Sequence, residues 1–365
     1  MDLVLLGAIT GVANGLLGVG IVLIHRATRV INLAHGEIGA FGVAMVLFFI
    51  RVAHLPYALA VPLAIASCGV LGAVLERSIL RRLANSPRLI VLIATIGMSQ
   101  LVTVLRLIVS TIKGSERSLI GGGTEFPVPF HSPVVAFGRV TLRPEHLMLA
   151  VIGPALAIGL FAFLRFSAYG IALRASAENA TRARLLGIPV GRVSTVAWVL
   201  SSVLAGSAAI LLAPVVGFST TAAVGLPLLM RGLAAATVAR YEGIGTAFQV
   251  GVGLGILDEL VFHATGQNGL TDVVLFVVVL GALIFRSGVR RRTSGAEESS
   301  WELAEPSRPL TSRSAPIRDG ASSATPRRRS RAAPSSAHPW SWAVRRSSSS
   351  RRSRSSPSSD CPSAC

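Results

Sequence analysis

The chain has 365 residues, 51% hydrophobic and only 14% charged, where a soluble domain carries about 25% charge. The formal net charge is +18, and from Ser287 onward there are 15 Arg and 6 acids, leaving 20 basic and 11 acidic residues for the body. That balance excludes an ordinary soluble enzyme. It points to an all-α polytopic membrane protein, because the body holds several apolar runs of about 20 residues, the length that crosses a bilayer as a helix. A transmembrane β-barrel is excluded too, since these runs are apolar on every face and do not alternate. The basic excess reads as Arg retained on the cytoplasmic side, and no nucleic-acid partner is expected. Three Cys without zinc spacing indicate neither a disulfide framework nor a metal site.

In chain order the apolar segments fall at about 3–24, 36–52, 57–76, 89–110, 146–164, 193–213, 222–239, 243–263 and 271–286. The expected count is eight or nine transmembrane helices, because 36–52 and 222–239 are short and read as broken or re-entrant. The first segment lacks a positive n-region and a small-residue cleavage site, so it reads as a retained span. Basic connections at His25–Arg29, Arg77–Arg88 and Arg165–Arg192 alternate with polar, Arg-poor ones at 111–145 and 264–271. The positive-inside rule then places the basic loops and the C-terminus in the cytoplasm and the N-terminus outside. The outside loop at 111–145 is rich in Gly and Pro, which suits irregular structure or a small hairpin. Residues 1–288 form the expected membrane domain. Residues 289–365 are Arg/Ser low complexity and read as a disordered tail, either a surface for anionic lipid or an unselected, frameshifted end.

Three places carry candidate chemistry. In Arg29-Val-Ile-Asn-Leu-Ala-His-Gly-Glu-Ile-Gly-Ala-Phe-Gly42, Gly36, Gly39 and Gly42 form a small stripe for close helix approach. Asn32, His35 and Glu37 stand at the mouth of the same segment and must face protein or water. The second place is a polar island, Tyr169–Pro189, between two apolar runs. Ala172–Leu186 has helical spacing, Ser176 is a candidate cap for a second short helix, and Gly187 followed by Pro189 is a stop signal. Leu173, Leu185, Leu186 and Ile188 are apolar in a segment that does not span, so they call for a partner surface. The third is Arg231, a charge inside an apolar run, with Asp258 or Glu259 as candidate partners. Arg106, Asp258 and Glu259 lie near the ends of their segments, where snorkelling is the expected explanation. No internal repeat is evident. The one lysine, Lys113, does not sit in a phosphate-binding Gly-Lys-Ser/Thr loop, and no zincin or nucleophile-elbow motif is present.

Four stretches taken together resemble the permease subunits of branched-chain amino-acid ABC transporters: Arg29–Gly42, Leu92–Gln100 (Leu-Ile-Ala-Thr-Ile-Gly-Met-Ser-Gln), Arg174–Ile188 and Gly269–Phe285. The resemblance covers roughly 3–288. It implies a type II ABC-importer-like permease with no catalytic residues and no cofactor of its own, ATP being used by partner subunits. The implied partners are a second, homologous permease, two cytoplasmic ATP-binding subunits, an extracytoplasmic solute-binding protein and the lipid bilayer of a bacterial inner membrane. The family's ATPase-coupling helix maps onto Arg174–Gly187, with Arg174, Ala177, Glu178, Asn179, Leu185, Leu186 and Gly187 as its contact residues. Asn32, His35, Gly36, Glu37, Gly39, Thr95 and Arg231 map onto the translocation pathway or its helix packing. The chain departs from the family pattern at Ala239-Arg-Tyr-Glu-Gly-Ile-Gly-Thr246, where a Gly-Gly-x-Gly-Ser turn is usual, and at Arg286-Ser-Gly-Val. An ion-coupled secondary transporter is the alternative, and it would need an inverted repeat with buried carboxylates near the midplane.

Overall fold

A computed structural model describes residues 2–83, 86–112, 126, 135–137, 140–216, 224–266, 273–274 and 276–284. All of them belong to one compact unit, Met1–Glu297; the second unit, Glu298–Cys365, with the Arg/Ser-rich tail, lies outside the described residues. So do most of 113–134 and the departure at 286–289.

Apolar sequence and helical spacing give helices throughout. They are α1 (Asp2–Thr28), α2 (His35–Arg51), α3 (Tyr57–Leu75), α4 (Arg88–Thr111), α5 (Pro144–Phe166), α6 (Ala168–Glu178), α7 (Ala180–Leu185), α8 (Val190–Val216), α9 (Gly225–Val238) and α10 (Ile244–Thr265). A further helical stretch covers 276–284. The π-helical turn Glu76–Leu80 prolongs α3. The hairpin reading of the long loop holds locally: β1 (Val135–Phe137) pairs antiparallel with β2 (Val140–Leu142), in the register Val135 opposite Leu142. Among the described residues, six helices are long and apolar enough to cross a membrane, namely α1, α3 with its π turn, α4, α5, α8 and α10. The two segments read as short are α2, with 17 residues, and α9, with 14.

Glycine decides which helices meet most closely. Gly7, Gly11 and Gly15 recur every four residues on one face of α1 and lie against Gly251, Val252 and Gly255 of α10. A Cβ on Gly11 would stand 2.5 Å from the Val252 carbonyl oxygen. Small residues four apart let two backbones touch where lipid offers no hydrophobic drive for association. As a result α1 is the most enclosed helix, whereas α4 and α5 leave much of their apolar surface outward.

No repeat is evident in the sequence, but the helix pairings of the two halves correspond. The helices α1 and α8 are both 27 residues long and antiparallel, with Thr28 near Val190, Gly20 near Ser201 and Asn14 near Leu212. Each is followed in the chain by a short helix that begins inside the bundle. The α2 start lies deep because His35 packs on Gly20, partway along α1, and the α9 start lies beside it because Gly225 packs on Glu37. The pairings correspond between halves: α1 with α10 matches α8 with α3, and α1 with α9 matches α8 with α2. Gly42 on Gly206 in one half has its counterpart in Gly232 on Leu17 in the other. The last stretch packs Val278 and Val279 near Ala234 and Ala235 of α9, as α4 packs on α2. Sequence alone hides this relation because the halves share helix lengths and the placement of small residues, with no common motif.

Candidate functional site

The island folds as two short helices. Ser167 starts α6 by accepting the Gly170 N–H at 3.0 Å. The cap of α7 is Asn179, whose Oδ1 accepts from the N–H groups of Thr181 and Arg182 at 3.0 and 2.9 Å. The sequence expectation of Ser176 in that role is therefore corrected. Ser176 lies within α6, is buried, and turns its hydroxyl back to the Ala172 carbonyl. Asn179 wins because the chain between the helices is extended at φ −152°, the geometry an N-cap needs. Gly187, at φ +81°, ends α7 in the left-handed conformation that favours glycine.

The island has two faces. Leu173, Ala177 and Ala183 are buried against the bundle, while Arg174, Glu178, Asn179 and Gly187 are exposed. Leu185 and Leu186 are 84% and 79% exposed. Arg29 stands just past α1, at φ 59°, and its Nη2 donates to the Ala177 carbonyl at 2.6 Å. It thereby supplies a cation to the C-terminal end of α6, where carbonyls are unpaired and the helix dipole is negative. Beside the island, buried Glu76 accepts from Thr195 Oγ1 at 2.8 Å and pairs with Arg81 at 3.5 Å. Arg81 also donates to the Gly191 carbonyl at 3.0 Å, clasping the end of α3 to the start of α8.

The polar residues of the Arg29–Gly42 motif stand at the entry of α2 and face protein, as expected, and that entry lies inside the bundle because the break at 29–34 carries the chain inward before α2 begins. Asn32 Oδ1 accepts from the Ala34 N–H at 3.0 Å. Thr95 of α4 donates to the Leu92 carbonyl at 2.7 Å and reaches the Ile31 carbonyl at 3.4 Å. Ser201 of α8 donates to the Gly20 carbonyl at 2.9 Å and faces His35 Nδ1 at 3.2 Å. Gly36 meets the Gly225 carbonyl and the Leu229 N–H, and Gly39 meets the Ala205 carbonyl, so neither position has room for a side chain. The Glu37 carboxyl group lies against Gly225 at the N-terminus of α9, where a negative charge is favoured.

Two further assignments are corrected. Arg106 is not a snorkelling residue: it is buried and its Nε lies 3.5 Å from Glu37 Oε2. Of the two roles the sequence offered Asp258, snorkelling and pairing with Arg231, the structure shows the second: its Oδ2 lies 3.4 Å from Arg231 Nη2. The reason is common to both. A charge on an inward-facing side of a span cannot reach headgroups, and an opposite charge on the neighbouring helix compensates it. The Arg231–Asp258 pair borders a cavity of about 290 Å³ at the end of the bundle where α1 starts. Reasoning from sequence missed Arg29, Ser201 and Asn14; the spacing of Gly7, Gly11 and Gly15 was the available signal for the helix pair behind them. Among the described residues no group of three or more His, Cys, Asp or Glu is placed to hold a metal ion.

The sequence profile of the family described as "Branched-chain amino acid transport system / permease component" matches residues 3–284. The chain belongs to this family. It is similar to the high-affinity branched-chain amino acid transport system permease protein LivH of Escherichia coli K12, 30% identical over 219 residues, 56% of this chain and 68% of that protein. The permease protein BraD of Pseudomonas aeruginosa is 28% identical over 214 residues, covering 56% and 68%. A probable LivH of Methanocaldococcus jannaschii is 27% identical over 203 residues, covering 54% and 61%. The chain is thus a permease component and a multi-pass membrane protein. Its departure at 239–246 has a structural consequence. Arg240 and Tyr241 hold φ 61° and 57°, the left-handed region that glycine occupies without strain. The strain, about 1–2 kcal/mol per residue, is offset where Tyr241 is buried and its ring packs tilted against His25, ring centroids 4.6 Å apart.

Proposed function

We propose that this permease is the membrane subunit of an ATP-binding-cassette importer that moves branched-chain or related amino acids inward. In this reading it pairs with a second permease, receives solute from an extracytoplasmic binding protein and is driven by two cytoplasmic ATPase subunits. The island end is the cytoplasmic face, and α1 begins outside. The observation that carries the reading is the pair α6 and α7: two capped helices too short to span, presenting Leu185 and Leu186 almost fully exposed among arginines. Exposed leucines on a non-spanning helix need a protein surface to cover them. In this reading the ATP is hydrolysed by another polypeptide, because the sequence lacks a nucleotide-binding lysine loop.

The test is ATP-dependent uptake of L-leucine by the complete transporter in liposomes. Leu186→Ser and Glu178→Ala are expected to abolish uptake while the protein still inserts and copurifies with its partner permease. Uptake at the wild-type rate in both variants sinks the proposal.

A second reading, a secondary transporter working alone, has one observation in its favour: inverted halves with a buried Glu37 and a half-buried Asp258 are the architecture such transporters use. Against it stands the docking island, which a lone transporter does not need. Solute flux in liposomes containing this chain alone, driven by an ion gradient, would establish it.

A further inference from the structure

A cavity of about 420 Å³ lies at the island end of the bundle, between the end of α1, the π turn after α3, the start of α4 and the first turn of α8. Arg184 of α7 reaches it from the island. We propose that it holds the phosphate of an anionic phospholipid, so that one lipid headgroup bridges the island and the bundle.

Arg29, Arg81 and Arg184 line the cavity against a single acid, Glu76. That carboxylate is already engaged: it accepts from Thr195 Oγ1 at 2.8 Å and lies 3.5 Å from Arg81. Arg81 is fixed through one nitrogen. Its Nη2 donates to the Gly191 carbonyl at 3.0 Å and to Thr195 Oγ1 at 2.8 Å and faces Glu76, while the side chain stays 48% exposed. Arg29 likewise uses only Nη2, on the Ala177 carbonyl. Arg184 is exposed, and its guanidinium has no acceptor among the described residues. Three guanidinium groups thus keep unused N–H edges around one cavity, and a phosphate is an anion that such planar forks bind well. The first turn of α8 adds its own N–H groups and the positive end of its dipole at Val190 and Gly191. The rest of the lining is largely apolar, with Val30, Leu80, Leu83 and Val91. A free phosphate has no use for that surface, whereas a glycerol backbone and its acyl chains do. The flanking helices also expose Val70 and Val74 of α3 and Leu89 and Ile90 of α4, an apolar surface for the chains to follow. The volume lies within the range of ligand sites, roughly 300–1,000 Å³, and basic pockets between spanning helices on the cytoplasmic side are where such headgroups bind. Arginines retained at this end only to orient the chain would need neither the cavity nor an Arg81 fixed by three contacts.

The full-length permease in mild detergent is titrated separately with dioleoylphosphatidylglycerol, dioleoylphosphatidylcholine and inorganic phosphate, and bound molecules are counted by native mass spectrometry. The Arg-rich tail is present in every sample, so its own attraction for anionic lipid is common to all. One phosphatidylglycerol is expected to bind several-fold more tightly than phosphatidylcholine or inorganic phosphate. Arg184→Gln, at an exposed side chain with no partner inside the described protein, is expected to weaken that binding several-fold without disturbing the fold. Arg182→Gln, on the same short helix but off the cavity lining, is expected to leave it unchanged. Equal loss in the two variants reduces the effect to diffuse charge and overturns the site. Equal binding of the two lipids overturns it as well, and inorganic phosphate binding as tightly as phosphatidylglycerol overturns the lipid assignment. If Arg184→Gln leaves lipid binding intact but releases a copurifying ATPase subunit, the cavity is a protein contact and the lipid site is overturned. None of these readouts involves transport, so failure here leaves the importer reading standing.

Discussion

The two short helices α2 and α9 occupy corresponding places in the two inverted halves, yet they handle buried charge in opposite ways. On α2 the short helix carries the acid, Glu37, and its partner Arg106 comes from α4. On α9 the short helix carries the base, Arg231, and its partner Asp258 comes from α10. The first pair is sealed, with side chains 3% and 10% exposed, while the second borders the cavity at 18% and 15%. One scaffold thus supplies a closed ion pair that fixes the meeting of two helix N-termini and an open one that keeps contact with a solvent-sized space. Burial, more than the presence of charge, separates the two.

The largest expected effect comes from breaking the sealed pair. Glu37→Leu leaves Arg106 buried without its carboxylate, which costs about 3–5 kcal/mol. The double variant Glu37→Leu with Arg106→Leu is expected to recover most of that loss. The fraction of protein remaining monodisperse in mild detergent after heating measures both. Recovery no better than in the single variant would mean that the charges do more than compensate each other.

A smaller effect separates the helix seams of the halves. Gly11→Ala drives a methyl into backbone atoms of Val252, with no side chain able to move aside, and is expected to cost about 1–3 kcal/mol. Gly69→Ala meets Val203 Cγ2 at 3.1 Å, a side-chain atom that can give way, and is expected to stay within about 0.5 kcal/mol. Midpoints of thermal denaturation in detergent rank the two, and equal midpoints would contradict the contrast between the seams.

The smallest effect concerns the links after α2 and α9. His54 holds φ 51° in the first link, and Arg240 and Tyr241 hold 61° and 57° in the second. Arg240→Gly relieves the left-handed strain without touching the Tyr241 contact with His25, and is expected to raise stability by about 1 kcal/mol. A lowered midpoint would show that the Arg240 side chain contributes more than its backbone costs.

Much of this architecture could be read from the sequence. Nine apolar runs gave the helices, and the shortness of 36–52 and 222–239 announced the two that begin inside the bundle. The Leu/Ile content of the island and its Gly187 stop located α6 and α7. What the sequence could not reveal depended on which helix faces which. Arg106 and Asp258 sit near the ends of apolar runs in the one-dimensional record, and only the neighbouring helices show that they point inward. Ser176 and Asn179 are both good caps by residue type, and the backbone at Asn179 decides between them. The inverted halves stayed hidden because helix lengths and small-residue positions can correspond while the motif residues do not.

The single hydrogen bond from Arg29 to Ala177 carries a mechanical implication. Arg29 opens the six-residue break that sets how deep His35 lies, so the island and the deep helix start share one joint. Any tilt of α6 must either drag that joint along or snap it, releasing the left-handed backbone at Arg29 to relax. Arg29 thus ties the island to the start of the deep helix, alongside the packing of Leu173 and Ala177 against the bundle.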